Sequence, residues 1–215
     1  MSSIRRALAV AGLTATVAAP SLAAAQTFET KSAGDIMLRG RGIAIVPDVS
    51  SDTTIGGDVD VDEAFTPELD VTYFATDNIG VELIAATANH DVKLENSAVG
   101  DVDLGDVWIL PPTLTAQYHF LPKQRISPYV GAGVNWTLFY GADSGDANDI
   151  DYENDVGPAL QAGVDIAISG PWSLNLDVKK LFLDTEAEVQ TAAGTVDADV
   201  DIDPWIVGVG VAYKF

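Results

Sequence analysis

The sequence predicts an all-β protein, namely an eight-stranded antiparallel transmembrane β-barrel with short periplasmic turns and long acidic extracellular loops. Three observations lead to this prediction. Apolar and polar residues alternate with a period of two through eight segments. The connections between these segments are alternately short and long. The chain also ends on an aromatic residue and begins with a stretch typical of a secretory leader.

Residues 1–25 have the composition of a signal peptide. Two arginines precede an acid-free apolar stretch, which ends in small residues that suit cleavage after Ala25. Residues 26–215 then form a single outer-membrane β-barrel domain. No apolar run in this part approaches the ~18 residues that a membrane helix needs. We therefore expect the domain to cross the bilayer as strands.

The alternation sets the bounds of the strands. They are predicted over residues 35–46, 64–74, 79–90, 110–120, 127–140, 155–168, 172–185 and 201–215. Most reach the ~9 to 11 residues that a tilted strand needs to cross a bilayer. The long connections are residues 47–63, 91–109, 141–154 and 186–200. Three short turns at one end and four long loops at the other indicate an even-stranded barrel with both termini in the periplasm.

One face of each strand is apolar, and the other carries polar or charged residues. The same pattern would suit a soluble sandwich or a lipocalin-like barrel with the apolar face inward. The leader, the aromatic terminus and the loop lengths favour the membrane barrel, whose apolar face meets lipid. The adjacent Lys179 and Lys180 interrupt the alternation, which predicts a β-bulge or the membrane boundary at that point.

The polar face is expected to fill the lumen, because eight strands leave an interior only wide enough for side chains or one small ligand. Opposite charges should pair there, since an unpaired buried charge is costly. We expect this plug to close the lower barrel to water and ions. Its predicted members are Arg39, Arg41, Glu68, Asp70, Glu82, Gln117, His119, Asp165, Asp177 and Lys179.

Two adjacent prolines, Pro111 and Pro112, begin the fourth strand. Neighbouring residues of a strand bond to opposite neighbours, so the pair removes one ladder donor on each side. One hypothesis is a lateral opening through which an apolar solute leaves the lumen. The alternative is that the prolines merely start the strand above the membrane. An upper apolar pocket, or equally a girdle of interfacial aromatics, would be formed by Trp108, Leu110, Phe139 and Tyr140.

The last residues carry a second pattern. Tyr213 and Phe215 share one face of the final strand, and Gly210 lies three residues before Tyr213. This spacing resembles the signal by which outer-membrane barrels are recognised for assembly. We therefore expect the barrel-assembly machinery to be a partner, with these three residues as its signal.

The charge is strongly acidic, with 32 Asp and Glu against 11 Lys and Arg. Nucleic-acid binding is disfavoured, because it needs cationic patches. Most of the excess acid lies in the long loops. Alternating aspartates at residues 58–62, 101–104 and 197–201 suggest strands that continue above the membrane. Residues 143–151 lack the pattern of a calcium loop, so no metal site is predicted.

Little in the sequence points to catalysis. His90 and His119 are the two histidines, and neither has an identifiable nucleophile beside it. There is no cysteine to serve as a thiolate ligand or to form a disulfide. We expect neither an enzymatic activity nor a cofactor.

Several segments together resemble the OmpW-like outer-membrane proteins. They are residues 78–83, 110–120 with the proline pair, 128–135, 177–180 and 203–205. The resemblance implies an eight-stranded barrel with an apolar pocket or channel, thought to pass small hydrophobic molecules inward, in some members through an opening in the wall. The implied partners are small hydrophobic solutes, outer-membrane lipids and lipopolysaccharide. The alternative is a structural or surface-interaction barrel whose acidic loops engage divalent cations, lipopolysaccharide or other cells.

Overall fold

The computed structural model describes residues 28–98, 100–145, 147, 149–191 and 194–215. The predicted signal peptide lies outside these residues. The described part of the chain contains no helix long and apolar enough to cross a membrane.

The regular secondary structure of the described residues consists of strands. In chain order they are β1 (Ile36–Val46), β2 (Ser50–Thr53), β3 (Asp58–Val61), β4 (Ala64–Phe74), β5 (Ile79–Ala86), β6 (Ala88–Ser97), β7 (Gly100–Leu110), β8 (Thr113–His119), β9 (Ile126–Tyr140), β10 (Asp149–Tyr152), β11 (Asp155–Ser169), β12 (Trp172–Leu181), β13 (Asp184–Thr191), β14 (Gly194–Asp201) and β15 (Trp205–Lys214).

Eight of these strands close an antiparallel barrel in the order β1, β4, β5, β8, β9, β11, β12 and β15. The first and last strands pair from Met37↔Lys214 to Val46↔Trp205, which completes the ring. The predicted eight-stranded barrel is therefore confirmed. The predicted third and seventh strands are each divided, and each continues above the barrel as a separate strand, β6 or β13.

The long connections are themselves folded, into a structure that we call the cap. Strands β3, β6 and β7 extend the barrel sheet, while β2, β10, β13 and β14 form a second sheet. The two sheets share an apolar core formed by residues such as Val92, Val107, Ile150, Val189 and Val200. The alternating aspartates lie in β3, β7 and β14, as the sequence suggests. We call the opposite end, with its short connections, the turn end.

The outer face of the barrel is apolar. Val209 is 58% exposed, whereas Arg39, on the inner face of the neighbouring strand, is fully buried. Exposed aromatic side chains lie at both ends of this belt. They are Tyr73, Tyr118, Phe120, Trp172 and Phe215 at the turn end and Phe65, Trp136, Tyr140 and Trp205 towards the cap. An apolar belt with aromatic girdles is typical of a barrel whose outer face contacts lipid.

The bulge predicted at Lys179 and Lys180 is absent from the described pairing of β11 with β12, which runs in regular register from Ala159↔Leu181 to Ala167↔Ser173. That part of the prediction is wrong. Lys179 points inward, and Lys180 points outward with its ammonium 5.3 Å from the centroid of the Trp205 ring. The long side chain of Lys180 carries its charge past the apolar surface, so the two lysines keep the inward and outward alternation of the strand.

Candidate functional site

All ten residues predicted to fill the lumen lie inside the barrel, and none is more than 5% exposed. They project inward because they occupy alternate positions of the barrel strands. The structure brings them together as one network of ion pairs and hydrogen bonds. We call this network the plug.

The part of the plug nearest the turn end is built around Arg39. Its Nε and Nη2 atoms donate to the two carboxylate oxygens of Asp165 at 3.2 and 2.9 Å. Its Nη1 atom donates to Glu82 Oε1 at 2.8 Å and to the hydroxyl of Thr72. A bidentate pair of this kind fixes both side chains, because the guanidinium fork matches the carboxylate.

The part of the plug nearest the cap is built around Arg41. Its guanidinium contacts four carboxylates, those of Glu68, Asp70, Asp177 and Glu82, at N–O distances of 2.9, 2.5, 3.2 and 3.5 Å. Lys179 Nζ adds contacts of 2.7 Å with Glu68 and 3.0 Å with Asp177. Every charge in this part of the plug therefore has an oppositely charged partner within 3.5 Å.

Neutral side chains join the two parts. Gln117 and Gln161 both donate to Glu82 Oε2, at 2.5 and 2.9 Å. The hydroxyl of Tyr129 donates to Asp177 at 2.6 Å. The alternation places Gln161 on the inward face of its strand, but the predicted list of plug members included only Gln117 of these three residues. Tyr129 was missed, although its inward parity on β9 was available as a signal.

The prediction also missed Lys31, which lies before the first strand. The segment carrying it crosses the turn end, where its backbone N–H donates to Pro122 O at 3.0 Å. The ammonium enters the lumen and contacts Asp165 at 2.8 Å and Ser127 Oγ at 2.7 Å. Alternation says nothing about a residue outside a strand. The available signal was the shortage of cations, since the predicted plug held five acids and three bases.

An apolar cavity lies above the plug. Its volume is about 40 Å³, and Glu68 and Lys179 of the plug form its floor. Its walls include Ile43, Ile45, Ile84, Ile109, Leu181 and Ile206. A second apolar cavity in the cap core shares Val61, Ile109 and Ile202 with the first. The interior is therefore apolar from the floor of the barrel cavity into the cap.

The four residues predicted to line an upper pocket do not line this cavity together, which corrects the prediction. Trp108 and Tyr140 stack on the outer surface with ring centroids 6.3 Å apart, in agreement with the girdle alternative. Phe139 stacks on Tyr152 and lines the second cavity, in the cap, whereas Leu110 borders an outer groove. For Trp108 and Leu110 the reason is parity, because the inward position of β7 belongs to Ile109.

The proline pair separates β7 from β8, and it interrupts strand pairing on one side only. Towards β9 the ladder is closed, because Trp136 N donates to Pro112 O at 2.9 Å. Towards β5 the described register stops at Ile84↔Thr113, and β6 resumes pairing with β7 at Ala88↔Ile109. Residues 85–87 thus have no registered partner on that side. Pro112 has no N–H to donate to Trp136 O in return, so the predicted loss of one ladder donor applies on the β9 side as well, although the register with β9 is continuous from Leu110↔Leu138 to Thr113↔Asn135.

An open groove on the outer surface runs along this unpaired stretch. It is lined by Gly40, Arg41, Pro67, Glu68, Leu69, Ala85, Ala86, Thr87 and Leu110. Glu68 and Ala86 line both the groove and the inner cavity. These two residues therefore separate the cavity from the outer groove at this point.

Comparison with known proteins agrees with this architecture. The model of the OmpW family matches residues 32–215. The chain belongs to the OmpW family. An outer-membrane protein of Sinorhizobium fredii, y4mB, is 43% identical over 84% of this chain and 79% of its own length. Outer membrane protein W of Escherichia coli is 35% identical over 85% and 89%. The crystal structure of the outer membrane protein OprG from Pseudomonas aeruginosa matches with a TM-score of 0.82 and 31% identity, over 88% of this chain and 99% of that one.

Membership of the OmpW family places the barrel in the bacterial outer membrane, with its apolar belt against lipid. The residues predicted as the assembly signal lie in β15 of this barrel. Tyr213 and Phe215 point outward with ring centroids 4.7 Å apart, and Trp172 packs against Tyr213 at 4.9 Å. Gly210 faces the lumen, where a Cβ atom would lie 2.1 Å from Gly40 O. Its recognition by the assembly machinery stays a prediction.

Replacing Lys31 tests its place in the OmpW-family plug. We expect Lys31→Ala to lower the free energy of unfolding by about 3 kcal/mol, the lower end for a broken buried ion pair, because Asp165 keeps Arg39. Lys93→Ala, which removes an exposed lysine of the cap, should change it by less than about 0.5 kcal/mol. Denaturant unfolding in detergent micelles measures both, and equal effects would contradict the assignment.

His90 of the cap gives a pH-dependent prediction. Burial lowers the pKa of His90 below its usual value, although its hydrogen bond with Asp62 O acts in the opposite direction. A lowered pKa means that the unfolded chain binds the proton more tightly, so stability is lost as the pH falls below about 6.5. The stability of the His90→Gln variant should fall less than that of the wild type when the pH is lowered. A ring titration by nuclear magnetic resonance with a midpoint at or above the usual value would contradict this.

The plug also predicts electrical behaviour. Purified protein in planar bilayers should give negligible steady conductance, because paired side chains fill the lumen. Large porin-like current steps from the wild-type protein would contradict the closed plug. Current steps seen only in Lys31→Ala would instead locate the seal at the turn end.

Proposed function

We propose that this protein passes small apolar molecules across the outer membrane and releases them sideways, through a lateral opening beside Pro111 and Pro112. The termini and the turn end face the periplasm in this proposal, and the cap faces the outside of the cell. The observation that carries it is the apolar cavity, which lies above the ion-paired plug and is separated from the outer groove by Glu68 and Ala86.

The first step is uptake through the cap. The cap core and the barrel cavity are lined by apolar side chains and share three of them, so a solute can move between them without meeting charge. The acids of the cap strands point away from this core. An apolar molecule therefore gains by leaving water for the core, at about 25 cal/mol per Å² of its apolar surface.

The second step is a block at the plug. To continue towards the periplasm, a solute would have to separate Arg41 and Lys179 from their carboxylates. Breaking a buried pair without replacing its partner costs about 3 to 5 kcal/mol. An apolar solute offers the charges no replacement, so the straight path through the barrel is closed to it.

The third step is the lateral exit. Residues 85–87 have no registered partner across the seam, and Ala85 and Ala86 are small. An unpaired backbone N–H facing lipid would be costly. Pro111 and Pro112 have no N–H, so the opposite edge can remain open without leaving donors unsatisfied. The prolines thus lower the cost of a gap on their own edge, whereas any N–H of residues 85–87 that faces the gap still carries that cost.

The cavity restricts the class of solute. Its volume of about 40 Å³ is well below the roughly 300 to 1,000 Å³ of ordinary ligand pockets. A solute must therefore be slender or flat, and the isoleucine side chains must move aside to admit it. The cavity walls offer few hydrogen-bonding groups, so discrimination should follow shape and apolarity.

A bulky substitution at Ala86, between the cavity and the outer groove, tests the lateral exit. We expect Ala86→Trp to reduce uptake of a slender apolar substrate several-fold in cells that depend on this protein, because the indole fills the shared wall. Ala116→Trp is the matched control, since Ala116 is an outward, lipid-facing residue of β8. Radiolabelled uptake at equal amounts of folded barrel measures both.

Equal uptake by the two variants would contradict the lateral exit. Equal uptake by cells with and without the protein would contradict transport altogether. The latter result would favour the alternative of a structural or surface-interaction barrel, in which the acidic cap meets divalent cations, lipopolysaccharide or other cells.

A further inference from the structure

The charges inside the barrel do not balance. The buried carboxylates of the described lumen are those of Glu68, Asp70, Glu82, Asp165 and Asp177, and the buried cations are Lys31, Arg39, Arg41 and Lys179. His119 adds no charge, because its Nδ1 atom lies 3.1 Å from the ammonium of Lys31 and must accept from it. Five acids therefore face four bases, and none of the nine is more than 5% exposed.

The imbalance lies in the half of the plug towards the cap. Near the turn end, Arg39 and Lys31 are matched by Asp165 and Glu82. Towards the cap, Arg41 and Lys179 face three carboxylates, those of Glu68, Asp70 and Asp177. Glu68 and Lys179 also form the floor of the apolar cavity. A net negative charge in this position would border a space that offers nothing to solvate it.

Asp70 is the carboxylate with the fewest partners. It is completely buried, and neither of its oxygens accepts a hydrogen bond within the described residues. Its ionic contact is with Arg41 Nη2, which Glu82 shares. By contrast, Asp165 accepts two bonds from Arg39, and Asp177 accepts from Tyr129, Gln161 and Lys179.

The surroundings of Asp70 favour a neutral group. On its own strand β4, Glu68 is the nearest acid, and on β5 Glu82 faces the same space. On β1, Arg39 pairs with Asp70 in the register and Arg41 with Glu68. Across the lumen, β12 supplies Asp177 and Lys179, which bond to each other. Asp70 thus shares Arg41 with Glu68, Glu82 and Asp177, and no second cation contacts it within the described residues.

We propose that the folded barrel binds one proton at neutral pH and that Asp70 holds it. The proton brings the lumen to zero net charge, with four carboxylates against four cations. The proposal is independent of the transport path, because it depends only on the contents of the plug.

Infrared spectroscopy of the purified, folded, full-length protein tests the proposal directly. The C=O stretch of a protonated carboxyl group is separate from carboxylate bands, and we expect one such band at neutral pH in the wild type. Asp70→Asn should fold, because the amide is neutral like the acid, and should lack the band. Asp60→Asn removes an exposed acid of the cap and should retain it.

Unfolding gives a second measurement. The folded barrel would bind one proton more than the unfolded chain, in which aspartate ionises near pH ~3.9. The folding equilibrium constant of the wild type should then fall by up to about tenfold per pH unit above this value, relative to Asp70→Asn. Asp60→Asn should follow the wild type.

Three results would overturn the proposal. They are the absence of the band from the wild type, its survival in Asp70→Asn, and failure of Asp70→Asn to fold under conditions in which Asp60→Asn folds. A wild type that lacks the band and gains stability with added sodium or potassium would show that a metal cation, rather than a proton, balances the charge.

Discussion

The buried ion network around Arg39 and Arg41 is the constraint on which the rest of the molecule depends. An eight-stranded barrel has no room for water-filled space, so inward side chains must satisfy one another. Replacing buried ion pairs by well-packed apolar residues is often neutral or stabilising, so stability alone does not explain the network. Its consequence is a seal. In the proposed function the network closes the half of the lumen near the turn end, so a solute above it would leave by another route.

The inner and outer faces of the strands change in polarity from the turn end to the cap, although alternate residues continue to point to the same face. On the inner face, Glu82 is followed by Ile84 two positions on, and Arg41 is followed by Ile43. On the outer face, Leu83 gives way to Asn89 and the acids of β6. The lower barrel is therefore polar inside and apolar outside, the upper barrel is apolar on both faces, and the cap is apolar inside and acidic outside. One continuous sheet can face lipid in the barrel and water in the cap, because the side chains alternate with a period of two in both parts.

The sequence predicted the strands and the plug because both follow from local alternation, which survives folding wherever one face meets lipid. It did not locate Lys31, whose position depends on a segment that folds under three strands distant in sequence. It assigned the upper pocket to Trp108 and Tyr140, because aromatic residues mark a girdle and a pocket equally well. The loss of pairing at Pro111 and Pro112 on one side only could not be read locally, since β9 supplies a partner and β5 does not.

The unpaired residues 85–87 lie at the height in the barrel where the inner face changes from polar to apolar, and this height matters for the proposed exit. Residues 85–87 follow Ile84, the point at which the inner face of that strand becomes apolar. An opening lower in the barrel would connect lipid to the charges of the plug, which the bilayer would penalise. An opening higher, in the cap, would connect the cavity to water. At this level the inner face has become largely apolar and the outer face meets lipid, so in the proposed function a hydrophobic molecule would cross beside Glu68 without entering water.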